Sequence, residues 1–187
     1  MLWFLGTVAR MKLIGAQTAG RLGMWEGVFP FGAPPPLHSH PQDEALYVLE
    51  GEVTVWIVEP DAVDGLGAAA PYGVRRAEDT VADAATTAPG WVATLGRRCG
   101  VGAAAFAPGG TPHTFRVESD TARMLILSTP AGIEDMVRAV AEPARWPWLQ
   151  PPPDGPRVPS EHLAAIEREV GMVRHGPPPP SADASAS

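Results

Sequence analysis

The chain has a single cysteine, Cys99, in 187 residues. No intramolecular disulfide framework is possible, and there is no cysteine pair at zinc-finger spacing. The expected compartment is therefore the cytoplasm. There is no run of about eighteen apolar residues, the length a helix needs to span a bilayer. The apolar stretch Met1 to Val8 is followed, not preceded, by Arg10 and Lys12, an order unlike that of a signal peptide. Basic clusters are also missing. The 14 Lys and Arg are scattered among 21 Asp and Glu for a net charge of −7, which argues against nucleic acid or an anionic membrane as partner. A small-molecule substrate is the expected partner.

With 45% apolar side chains over this length, the chain can bury one core and is short for two. Short β-rich runs lie between Gly and Pro punctuation. They are Leu22 to Phe29, Leu46 to Leu49, Val53 to Val58, Trp91 to Leu95, Ala103 to Ala107, Thr114 to Val117 and Arg123 to Ser128. Glu50-Gly51-Glu52 reads as a hairpin turn between two of them. Many short strands without a βαβ rhythm predict an all-β sandwich or jelly-roll barrel.

Two glycine-framed patterns carry the chemistry. The first, G-x5-H-x-H-x3-E-x6-G, runs from Gly32 through His38, His40 and Glu44 to Gly51. The second, G-x5-P-x-G-x2-H, runs from Gly102 through Pro108 and Gly110 to His113. Residues two apart on a strand share a face, so His38 and His40 can reach one ion. Pro41 should bend the chain and bring Glu44 in from a second direction. The Pro-Gly-Gly-Thr-Pro run before His113 should return a distant strand beside the pair. Exposed histidines give H-x-H by chance in many loops. The frame and the second motif are what separate this pattern from that reading. Three imidazoles and a carboxylate suit one divalent transition ion (Fe, Mn, Ni, Co, Cu or Zn) and suit magnesium or calcium poorly. About two coordination positions would stay open on an octahedral ion.

These two motifs resemble the signatures of the cupin superfamily. Over about residues 20 to 140 the chain is similar to single-domain bacterial quercetin dioxygenase-like cupins. The resemblance implies a jelly-roll β-barrel and His38, His40, Glu44 and His113 as metal ligands. It also implies that Glu44 is the base that takes a proton from bound substrate, and that the activity is a mononuclear metal-dependent dioxygenase acting on a small aromatic or enolic compound. Two positions depart from the family pattern. Val117 stands where an asparagine is usual and Ala103 where an aspartate is usual, so kinship with any one subfamily, and hence the substrate, is open. The alternatives are a redox-silent cyclase, isomerase or lyase of secondary metabolism, and a non-catalytic small-molecule-binding cupin.

The implied organisation is a cupin barrel over 1–145 with an inserted loop at about 59–90, a C-terminal extension with one short helix over 146–176, and a disordered tail over 177–187. Tyr72, Arg75 and Arg76 are the docking points expected in the insertion. Thr129-Pro130 reads as the N-cap and first residue of a helix, whose stripe Ile133, Met136, Val137 and Val140 should pack on the barrel. Trp146, Pro147 and Trp148 should cover a barrel mouth or a dimer surface. Ser160 should cap a second helix carrying Leu163, Ile166 and Val170. His162 and His175 read as solvated, and Cys99 as a small residue near a strand end. Trp25, Trp56, Phe29, Phe31, Phe106 and Phe115 are candidates for an aromatic pocket wall, each of which could equally be plain core. A homodimer is expected, with Met1 to Val8 adding a strand to a neighbour.

Overall fold

In the computed structural model the described residues are 1–32, 35–58, 83–85, 95–145 and 158–176. Among these residues thirteen strands form two sheets, and every pairing is antiparallel. The first sheet holds β1 (Leu2–Phe4), β2 (Thr7–Leu13), β3 (Gly23–Pro30), β5 (Asp43–Glu50), β9 (Ala104–Ala107), β11 (Thr121–Thr129) and β12 (Glu142–Pro143), in the order β12-β1-β2-β3-β11-β5-β9. The second holds β4 (Leu37–Ser39), β6 (Val53–Ile57), β7 (Asp83–Ala85), β8 (Leu95–Cys99), β10 (His113–Val117) and β13 (Val173–Gly176), in the order β13-β4-β10-β6-β8-β7. Helices α1 (Gly15–Thr18), α2 (Ile133–Val140) and α3 (Ser160–Glu169) complete the described elements. Neither sheet closes on itself among the described residues. Among the described residues the architecture is thus two antiparallel sheets with helices.

Period-two burial builds the core between the sheets. Along β3, Gly23, Trp25, Gly27 and Phe29 face inward, and along β11 so do Ala122, Met124, Ile126 and Ser128. Gly27 is required there, because a Cβ would lie 2.3 Å from the Phe29 ring and 2.9 Å from that of Trp25. Phe4, Trp25, Phe29 and Phe115 form a relay of aromatic contacts with centroids 5.8, 5.9 and 5.0 Å apart. The last step crosses from β3 to β10 and joins the two sheets.

Several expectations change on contact with the structure. Glu50-Gly51-Glu52 is not a hairpin turn, since β5 and β6 belong to different sheets. Gly51, at φ 78°, turns a corner packed on the β10–β11 connection, where a Cβ would meet the Thr121 carbonyl oxygen at 2.3 Å. Helix α2 does not start at Thr129-Pro130. β11 continues through Thr129, and Gly132 is the N-cap. The apolar stripe itself is buried as expected. Ser160 lies inside the first turn of α3, with Pro159 at the N-cap position and no side-chain cap. The N-terminal strand β1 pairs with β2 on one side and β12 on the other, so its edges are used within its own chain. Most of the 59–90 insertion, including Tyr72, Arg75 and Arg76, lies outside the described residues, as do Trp91, Trp146, Pro147, Trp148 and the 177–187 tail. Within the insertion, Asp83–Ala85 forms β7 against β8.

Candidate metal centre

The residues singled out by the two motifs converge in the interior from both sheets. His38 lies on β4, His40 directly after it, and His113 opens β10 with its Cα paired to that of His38. Glu44 comes from β5 in the other sheet. The Pro-Gly-Gly turn makes this possible. The Gly110 N–H donates to the His40 carbonyl at 2.7 Å and the Gly109 N–H to Asp43 Oδ1 at 2.7 Å. A Cβ on Gly109 would lie 2.2 Å from the Pro41 carbonyl oxygen, so the turn can sit this close only as glycine.

One nitrogen from each of His38, His40 and His113 lies within 4.8 Å of the others, and all three residues are buried. Glu44, also buried, places Oε2 3.4 Å from His40 Nε2 and Oε1 3.4 Å from His113 Nε2. The second-nitrogen contacts settle the tautomers. Nδ1 of His38 is 2.9 Å from the Pro36 carbonyl oxygen, that of His40 3.0 Å from Gln42, and that of His113 2.8 Å from Thr111. A carbonyl oxygen only accepts, so each Nδ1 carries the proton and each neutral ring turns an Nε2 lone pair inward.

This arrangement fits a cation. Nε2 of His40 and of His113 are buried with no hydrogen-bond partner among the described residues, and unpaired buried polar atoms are costly. Lone pairs facing a carboxylate at 3.4 Å repel unless a positive charge lies between them. Donor atoms about 2.1 Å from one ion lie roughly 3–4.2 Å apart, close to the spacing found. The three-histidine cluster therefore suits one divalent transition metal.

The proton affinities agree. Burial pushes His38 down to about 4, aided by His113 and opposed by Glu44. Burial alone would raise Glu44, but His113 and His40 outweigh it and hold the carboxyl well below its usual range. His113 is raised: burial opposes this, but contact with Glu44 and Thr111 prevails.

A cavity of about 300 Å³ adjoins the cluster. His38 and Glu44 reach into it, and most of its remaining wall is apolar, including Phe4, Trp25, Phe29 and Phe115. Of the aromatic candidates, Trp25, Phe29 and Phe115 line this space. Trp56 lies instead beneath the Arg116 guanidinium, 5.1 Å from its ring centroid, and Phe31 and Phe106 are exposed.

The sequence reading missed the C-terminal contribution. β13 pairs with β4, the strand that carries His38, and Glu167, Met172 and Arg174 line the cavity. His175 is exposed but not a free tail residue, since its Nε2 is 2.8 Å from Ser39 Oγ. His162 is exposed as expected.

No protein-family model matches the chain, and no curated protein does. Among solved structures it is similar to oxalate decarboxylase from Bacillus subtilis, with 17% identity and a TM-score of 0.49 over 70% of this chain and 27% of that one. It is also similar to KdgF from Halomonas sp., with 17% identity and a TM-score of 0.44 over 70% of this chain and 85% of that one. The chain spans about a quarter of the length of the oxalate decarboxylase. No helix among the described residues is long and apolar enough to cross a membrane.

Proposed function

We propose that the chain is a metal-dependent cupin enzyme acting on a small, largely apolar molecule with an enolic or hydroxylated end. His38, His40, Glu44 and His113 would be the ligands. The observation that carries this reading is the set of inward Nε2 lone pairs around an ionised, buried carboxylate at the end of an apolar cavity. A bound divalent ion would supply Lewis-acid polarisation of a substrate oxygen.

The protein's own groups define the rest. The Pro36, Gln42 and Thr111 carbonyls orient the rings. The apolar wall excludes water from the reacting end and strengthens electrostatic interactions there. Glu44 is ionised throughout the physiological range and accepts the substrate proton. Its low proton affinity makes it a weak base, so it acts on a carbon or hydroxyl already acidified by a polarised neighbouring oxygen.

A proton taken by Glu44 and returned at another position of the substrate, or followed by loss of a leaving group in a lyase step, would need no oxidant, and this redox-silent chemistry (isomerase, cyclase or lyase) is the leading reading. The dioxygenase reading adds dioxygen as co-substrate. It is favoured by the aromatic wall of Trp25, Phe29 and Phe115, which suits a flat enol.

Elemental analysis of the purified chain against His113→Ala, followed by turnover of flavonols and related enols in an oxygen electrode, tests both. One equivalent of transition metal lost in the variant is expected. Product formation without oxygen uptake supports the leading reading, and stoichiometric uptake supports the dioxygenase. A wild type that holds no metal after reconstitution sinks both and leaves a binding module.

A further inference from the structure

Apart from the candidate metal cluster, the charged groups among the described residues of the cavity wall come from the C-terminal unit. Arg174 on β13 stands with its Cα opposite that of His38 on β4. Residues directly opposite in an antiparallel pair project from the same face, and both side chains reach the cavity. Among the described residues that line it, Arg174 is the one cation. Its guanidinium is held by Glu167 of α3, with Nε 3.1 Å from both carboxylate oxygens and Nη2 2.6 Å from Oε1. That uses two of the five guanidinium N–H groups. The other three have no acceptor among the described residues.

Resting on the metal-site reading above, we propose that Arg174 receives the carboxylate of an apolar-bodied ligand, and that Glu167 positions the guanidinium for it. An arginine with one edge fixed by Glu167 is pre-organised to present its free edge to a second planar anion. The apolar wall takes the body of the ligand, and the cavity is at the small end of the range for ligand sites.

The test uses the full chain, zinc-loaded and chelator-stripped, with 3-phenylpropanoate and its neutral amide as probes in titration calorimetry. The wild type is expected to bind the carboxylate about tenfold tighter than the amide, the usual scale for one charge-assisted pair. Arg174→Gln removes that preference in both metal states and leaves amide binding unchanged. Glu167→Gln, which releases the positioned guanidinium, weakens carboxylate binding less than Arg174→Gln does and likewise leaves amide binding unchanged. A purely structural ion pair would weaken carboxylate and amide binding alike in both variants. That result, or a carboxylate preference that survives Arg174→Gln, or a wild type that prefers neither probe or binds neither, overturns the proposal. Absence of metal in the wild type with the Arg174-dependent preference intact would overturn the metal-site reading alone.

Discussion

The carboxylate of Glu134 fills the space that a side chain at Gly23 would need, since a Cβ there would lie 1.9 Å from Glu134 Oε2. Glu134 is fully buried on α2 and accepts the Gly15 and Gly132 N–H groups at 2.8 Å each. One side chain thereby ties the β2–β3 connection to the corner between β11 and α2.

Glu134→Ala leaves two part-buried N–H groups without an acceptor and should cost about 3 kcal/mol. Gly23→Ala should cost a similar amount through overlap, about 2–3 kcal/mol. The double variant should cost less than the sum, because the first change removes the atoms that the second strikes. Chemical denaturation of the four proteins measures this, and strict additivity would show that the two positions are not coupled.

His38 should make the metal-free protein acid-sensitive in a defined window. Its folded value is about 4, against about 6.5 in the unfolded chain. Between these values the unfolded state binds the proton and the folded state refuses it, so stability falls as pH falls. The contribution is intact above 6.5 and is lost by pH 4, with a total of about 3 kcal/mol. His113 is raised, so its contribution is present below 6.5 and is lost only as pH rises through its folded value. It adds no slope in the lower window. Stability of chelator-treated wild type and His38→Gln from pH 4 to 7 should show a slope in the first that is flattened in the second. Parallel curves would contradict the assignment.

On the outer face of the first sheet, Glu26 lies between Lys12, 2.6 Å away, and Arg123, 3.4 Å away, while Arg123 also bonds Glu50. The Lys12 bond, partly opposed by burial, and then Arg123 lower the Glu26 carboxyl. Its stabilisation is therefore present above the ordinary carboxylate value and is lost as pH falls through the lowered one. Solvent screens the pair, so Glu26→Gln should cost only about 0.5 kcal/mol, and less in molar salt. A cost that does not change with salt would point to packing rather than charge.

Removing residues 158–187 should weaken metal binding without removing a candidate ligand. β4 would lose the three register pairs to β13 and the Ser39–His175 contact. We expect affinity to fall about tenfold or more, as when supports of metal ligands are lost. Competition with a chromogenic chelator measures it. Unchanged affinity would mean that β4 is held by β10 alone.

The candidate cluster was legible because its residues sit in two rigid, glycine-framed spacings, and the structure brings His38, His40, Glu44 and His113 together. The path of the chain between sheets was not. A glycine at positive φ serves a hairpin and a corner equally, so Gly51 could not reveal that β5 and β6 part company. Thr129-Pro130 has the chemistry of a helix start, yet pairing with β3 and β5 carries β11 up to that point. Val173–Gly176 is four residues without alternation and is exposed apart from Gly176, so nothing local marks it as a strand. Glu134 stands beside an apolar stripe and would be taken for a surface residue.

The short strand with His38 shares one register pair with β10 and three with β13. Most of its backbone partnership therefore comes from residues about 135 positions later, as in the Ser39–His175 contact at a separation of 136. Closing so large a loop is entropically unfavourable and is rewarded only once most of the chain is in place. The candidate metal pocket should thus be among the last parts of the molecule to acquire its shape, and an ion captured there would act as a clasp that holds the C-terminal strand down.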